Sequence, residues 1–230
     1  MIEIDVMALI YKDPRWIDFL SESVASAKNE ITQPVLKFVA NDPEDSVRSD
    51  PRIHAIVEHE DKNEYYLCRV YDAWNKAMLM AKTKYVVLIN SDMYVSDFWL
   101  DQLWGGLEAG EIQFGKRGLP TSLLVESGRL DSAMPETVRD FGKSACDFDR
   151  DGFTNYANEL RVIGSYTPGV LFMPVLFNRM EFLRAGGFPR GNVDGMSGDR
   201  YLFNRMMDKF VHLTCNGSVV YHVQEGEMRS

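Results

Sequence analysis

Cysteine is scarce in this chain. Its 230 residues include 3 cysteines, Cys68, Cys146 and Cys215, widely spaced and with no Cys-x-x-Cys pair. That spacing excludes a disulfide framework and a structural zinc site, and it predicts reduced cysteines in the core. Basic runs are missing too: 25 Lys plus Arg stand against 34 Asp plus Glu, a net charge of −9. A nucleic-acid footprint is therefore absent, and an anionic partner is expected to be small and held locally. No apolar run approaches the roughly 18 residues that span a bilayer. The opening Met1-Ile2-Glu3-Ile4-Asp5 carries acids where a signal peptide carries Lys or Arg. A cytoplasmic protein without a transmembrane segment is expected. Internal repeats and low-complexity tracts are likewise lacking.

What is present is ample core material, with 45% hydrophobic and 12% aromatic residues. This suits one large α/β domain over 1–230. Ile2 to Ile10 is apolar on both faces, as a doubly covered parallel strand is. Asp13-Pro14 reads as a helix start, and Trp16, Phe19, Leu20, Ser23, Val24 and Ala27 recur at helical spacing behind it. Val35 to Ala40 and Ile53 to Val57 read as strands. Tyr66 to Ala81 reads as a second amphipathic helix and Tyr85 to Asn90 as a continuous apolar strand. The first 90 residues thus run β-α-β-β-α-β, which predicts a mainly parallel central sheet flanked by helices. In such sheets ligands bind beyond the carboxyl ends of the strands.

Beyond Leu103 the pattern weakens. Gly105-Gly106, Gly115, Gly118-Leu119-Pro120, Gly128 and Pro135 predict loops, with short helices near Glu136 to Lys143 and Thr154 to Arg161. Val170 to Met173 reads as a strand. Asn178 with Glu181 forms a capping box for a helix that Gly186-Gly187 closes. Arg200 to Met207 reads as a helix led in by Ser197-Gly198-Asp199. Val211 to Cys215 and Ser218 to His222 flank Asn216-Gly217, which predicts a C-terminal hairpin.

The apolar strand at Tyr85 ends in Asn90-Ser91-Asp92. A carboxylate just past a central strand can hold a hard divalent cation that also takes phosphate oxygens, or it can cap the next helix. The segment Asp147 to Asn158 has EF-hand spacing at Asp147, Asp149, Asp151 and Gly152, but its twelfth position is Asn158. The bidentate Glu that closes such a site is absent there, so a solvated acidic turn is expected instead.

Several blocks, in order, resemble the family 2 glycosyltransferases of the GT-A fold. They are "YLCRVYDAWNKAMLMAKTKYVVLINSDMYVSDFWLDQLW", "MPVLFNRMEFLRAGGFP", "SGDRYLFNRM" and "VVYHV". The resemblance implies a single Rossmann-like GT-A domain, with 1–104 the nucleotide-binding half and 105–230 the acceptor-binding and catalytic half. It implies an inverting glycosyltransferase that uses Mn²⁺ or Mg²⁺, with a nucleotide-sugar donor (a UDP-sugar favoured) and an acceptor hydroxyl. Asn90-Ser91-Asp92 falls at the family's Asp-x-Asp motif, with Asp92 as metal ligand, and His222 falls where many members have another. Tyr11, Asn41, Asp42, Arg69 and Asn75 fall in the nucleotide-binding stretches. Asp199 matches the catalytic base, with Asp194 as its alternative. Two departures stand out: Asn90 replaces the first Asp of Asp-x-Asp, and Gly198 replaces a Glu before the base. His54, His59 and His212 read as structural.

Two other functions compete. A sugar-phosphate nucleotidyltransferase uses a related sheet, but it wants a Gly-rich basic loop, and Ala8 to Pro14 has no Gly and one Lys. A catalytically silent nucleotide-sugar-binding module would fit the departures at Asn90 and Gly198.

Overall fold

A computed structural model describes residues 1–131, 135–169 and 173–225. In chain order the elements are β1 (Ile2–Ile10), α1 (Arg15–Ser26), β2 (Thr32–Asn41), α2 (Asp45–Arg48), β3 (Ile53–Val57), α3 (Tyr66–Met80) and β4 (Tyr85–Asn90). There follow β5 (Met93–Val95), α4 (Trp99–Phe114), β6 (Arg117–Glu126), a 3₁₀ turn (Pro135–Thr137) and α5 (Arg150–Leu160). The chain continues through β7 (Tyr166–Pro168), β8 (Val175–Asn178), α6 (Arg179–Arg184), α7 (Gly198–Met206) and β9 (Phe210–His222). The strands form one sheet in the order β3-β2-β1-β4-β8-β6-β9-β5, with β7 paired to β9.

β1, β2, β3 and β4 are mutually parallel, and the antiparallel β8 joins them to the second half. The apolar runs of β1 and β4 reflect burial on both faces. Ile4, Val6, Ala8 and Ile10 of β1 pack in one core with Trp16, Leu20 and Leu103 from α1 and α4. Met7, Val86 and Leu88 pack in the other with Trp74, Phe182 and Leu202 from α3, α6 and α7. Period-2 alternation therefore feeds two helix layers rather than one wet face. Ser23, within the apolar stripe of α1, accepts the N–H of Val95 at 2.7 Å and ties that helix to β5. Asn178 caps α6 as expected, accepting the N–H groups of Met180 and Glu181. Among the described residues no helix is long and apolar enough to cross a membrane.

Four expectations need correction. The expected break at Gly105-Gly106 is the middle of α4, and Gly118-Leu119-Pro120 lies within the ten-residue strand β6. The glycines serve close packing: a Cβ on Gly106 would stand 2.7 Å from Pro120 Cβ and 2.8 Å from Cys215 Sγ. Nor do Asn216-Gly217 turn the chain. β9 is continuous, neither residue has positive φ, and the pair together with Ser218 bulges out where the register with β6 shifts from Ser122–Cys215 to Leu123–Val219. A tight I′ turn would need positive φ at both. The helix expected over Glu136 to Lys143 is only the 3₁₀ turn, and Gly142 at φ +119° bars its continuation. Of the cysteines only Cys215 is fully buried, while Cys146 is exposed beside Arg15. The strand expected at Val170 to Met173 lies, save Met173, outside the described residues.

Candidate functional site

Register brings the strand ends together. Leu9 of β1 pairs with Asn90 and Ile10 with Ala40, so Tyr11, Asn41 and Asn90 emerge side by side at one sheet edge. A cavity of about 530 Å³ opens over that edge. Tyr11, Asn41, Arg69 and Asn90 line it, together with Ser91, Asp92 and His222. Aromatic walls come from Trp16 of α1 and from Tyr66 and Trp74 of α3.

His222 reaches this place through pairing across the second half of the sheet. On β9 it faces Met93 of β5 on one side and Glu126 of β6 on the other. Its Nε2 stands 3.3 Å from Asp92 Oδ2, and its Nδ1 stands 3.8 Å from Glu126 Oε1. Burial by itself would lower the imidazole pKa, but the Asp92 and Glu126 carboxylates outweigh it and hold it up at about 9. Asp92, 3% exposed, is thus a buried carboxylate facing a ring that carries a proton.

The donor set suits a divalent cation in place of that proton. Two ligands in adjacent positions on an octahedral ion with bonds of about 2.1 Å lie about 3 Å apart, close to the observed separation. Among the described residues no group of three His, Cys, Asp or Glu side chains is arranged to hold a metal. Asp92 and His222 could thus supply two protein ligands to such an ion. The EF-hand-like segment is otherwise occupied. Asp147 accepts the N–H and hydroxyl of Ser144, and Asp149 caps α5 through the N–H of Gly152.

Other expected residues fall into two groups. Asp42 is buried at φ +48°, bound to Arg69 at 2.9 Å and to the His59 N–H at 2.9 Å, so its carboxylate is taken up beneath the cavity. Asn41 takes the lining position instead, with its Oδ1 2.9 Å from His59 Nε2. Asn75 does not line the cavity. Its amide bonds both the N–H and the C=O of Phe188 at 2.9 Å and so fastens the turn after α6 to α3. Gly187, at φ +68°, permits that contact, since a Cβ there would come 2.5 Å from Asn75 Oδ1.

Asp199 opens α7 and Asp194 lies nearby, and neither lines the cavity. Asp194-Gly195 have φ +52° and +76° between the mutually bonded Val193 and Met196, the geometry of a two-residue turn. Asp199 Oδ1 lies 3.4 Å from the Tyr71 hydroxyl. Burial, reinforced by the Asp199 charge, pushes the Tyr71 phenol up to about 12. A Cβ on Gly198 would meet the Tyr71 ring at 2.5 Å. The ring fills the space that a Glu would need, and its hydroxyl becomes the polar neighbour of Asp199. Sequence reasoning missed Tyr71, and it missed Glu126, whose strand is masked by Gly and Pro.

No family model matches the sequence, and no curated protein matches it. Solved structures do match in three dimensions, over 96% of the chain. S. aureus TarS 1-349 matches at TM-score 0.57 and 11% identity, and GalNAc-T7 with UDP, GalNAc and Mn²⁺ at 0.61 and 13%. A second TarS structure matches at 0.58 and 11%. The fold is the glycosyltransferase GT-A fold. The chain spans 60%, 44% and 36% of those three structures' lengths. The cavity lies over the parallel half of the sheet, and the Asp92–His222 pair lies where the loop leaving β4 runs beside the end of β9.

Proposed function

We propose that the chain is an inverting, metal-dependent glycosyltransferase of the family 2 type. It would move a sugar from a nucleotide-sugar donor, a UDP-sugar favoured, to an acceptor hydroxyl. The observation that carries the reading is the convergence of Asp92 and His222 in a cavity built from the ends of β1, β2 and β4 on a GT-A fold. The UDP, GalNAc and Mn²⁺ in the GalNAc-T7 structure support the choice of nucleotide and of Mn²⁺ over Mg²⁺.

In this reading residues 1–104 hold the nucleotide and 105–230 the acceptor. Tyr11 stacks on the base, and Asn41 hydrogen-bonds its edge. Asn90 and Ser91 meet ribose and phosphate oxygens, while Arg69 backs the phosphates. Asp92 and His222 would hold a divalent cation, which when bound neutralises charge on the departing nucleoside diphosphate. Asp199 takes the proton of the acceptor hydroxyl as its oxygen bonds to the anomeric carbon, and the bond to phosphate breaks with its electron pair leaving on the diphosphate. Asp194, exposed on its turn, is the alternative base.

The test is nucleoside diphosphate release from a panel of nucleotide sugars with Mn²⁺. Release is expected, and it should vanish with chelator and in Asp92→Ala. Tight, metal-independent binding without turnover would instead establish a silent binding module, the reading that Asn90 and Gly198 favour. Pyrophosphate release from a nucleoside triphosphate and a sugar phosphate would establish a nucleotidyltransferase.

A further inference from the structure

Resting on that reading of the site, we propose that Glu126 and Gln224 are positioning residues for the cation. Glu126 fixes the His222 ring so that Nε2 presents to the ion, and Gln224 fixes Glu126.

An imidazole that ligates through Nε2 carries its proton on Nδ1, and that N–H needs an acceptor to set tautomer and ring angle. His222 Nδ1 is buried without a hydrogen-bond partner, and the group facing it at 3.8 Å is the carboxylate of Glu126. Glu126 sits on the side of the ring away from Asp92, so it acts through His222 rather than on the same ion. Its own place is set by Gln224, whose Nε2 donates to Glu126 Oε1 at 3.1 Å.

Gln224 adopts φ +59°, a left-handed conformation uncommon for a residue with a side chain. The amide that this conformation aims inward does more than hold Glu126. Its Oε1 accepts the Ser127 hydroxyl and the Leu130 N–H, both at 3.2 Å. The loop after β6 and the tail after β9 are thereby clamped together, and Arg129 with Glu225 adds an ion pair at 3.2 Å. Arg129, Leu130, Gln224 and Glu225 all line the cavity, so one clamp builds its wall and orients the ligand at its floor.

The experiment is a Mn²⁺ titration of the full chain, following the electron paramagnetic resonance signal of the free ion, with metal-free thermal unfolding run beside it. Glu126→Leu is expected to weaken Mn²⁺ binding about 10- to 100-fold, the usual loss for an outer-shell partner. Glu126→Gln keeps an oxygen able to accept from Nδ1–H and should fall between Glu126→Leu and the unaltered chain. Gln224→Gly relieves the left-handed backbone, so it should stay folded and still bind Mn²⁺ more weakly. If Glu126→Leu and Gln224→Gly bind as the unaltered chain does while Asp92→Ala and His222→Ala do not, this proposal is overturned and the site reading stands. An unaltered chain that takes up no Mn²⁺, with or without UDP, overturns both.

Discussion

Asp92 and His222 meet at 3.3 Å although one follows the fourth strand and the other ends the ninth. The contact follows from the Met93–His222 register between β5 and β9, which sets the two side chains at the same depth. Removing a charge-stabilising cation is worth several kcal/mol of transition-state energy, so Asp92→Ala should lower kcat/KM at least about 10³-fold. His222→Ala should lose less, because a carboxylate remains. Steady-state kinetics across a Mn²⁺ series measures both; parity of either variant with the unaltered chain would remove that ligand from the proposed site.

Tyr71 and Asp199 give a second test. Tyr71→Phe keeps the ring stacked on Phe188 at 5.2 Å and against Gly198, and it loses only the hydroxyl. A hydrogen bond to a charged group is worth about 1.5 kcal/mol, so kcat should fall roughly tenfold at unchanged donor KM. Asp199→Asn should cost about 10²- to 10⁴-fold in kcat with donor affinity kept. Full transfer by Asp199→Asn would shift the base to Asp194.

Arg69 and Asp42 form a pair with side-chain exposures of 14% and 1%. Arg69→Ala leaves a buried carboxylate without its partner and should cost about 3–5 kcal/mol. The double variant Arg69→Met, Asp42→Asn should recover most of this. Urea unfolding midpoints decide it, and a double variant no more stable than the single would refute the pairing argument.

Asp5 is 1% exposed on β1. Burial would raise its pKa, but Lys37 and the N–H groups of Lys82 and Thr83 outweigh that and hold it below the usual carboxylate value. A depressed folded pKa contributes stability that is present above the unfolded pKa of about 3.9 and is lost as pH falls through the folded one. Asp5→Asn should therefore lower Tm at pH 7, and the gap should narrow as pH drops below about 4. A gap that does not change with pH would show that the carboxylate charge is not what matters.

At Gly106 two effects oppose each other. Alanine favours a helix over glycine by about 1 kcal/mol, yet its Cβ must displace Pro120 and Cys215. Overpacking of this kind costs about 1–3 kcal/mol, so Gly106→Ala should be net destabilising in thermal unfolding. A raised Tm would mean that α4 and β6 have room to part.

Much of the first half was legible because local chemistry and fold agree there. Tyr85 to Asn90 is legible because a doubly buried strand is apolar throughout and its end turns polar, and the edge strand Ile53 to Val57 because its β-branched residues stand with His54 and Ala55 between polar segments. The Asn178 cap was equally local. β6 was not legible, because its glycines and proline signal breaks to a reader who cannot see α4 lying against them. Asn216-Gly217 misled for the same reason: a turn-prone pair bulges out of register with β6 when the loop at Val162 to Ser165 bonds the backbone of Asn216 instead.

The amino-acid order alone determined which segments are apolar strands, which helices carry a buried stripe, and that a carboxylate follows β4, since these depend on neighbours a few residues apart. Tertiary structure decided that Asp92 and Glu126 each face one nitrogen of His222, that Asn41 rather than Asp42 faces the cavity, and that Tyr71 takes the space beside Gly198. Those contacts join residues far apart in the chain, and only strand register and helix packing set the distances between them.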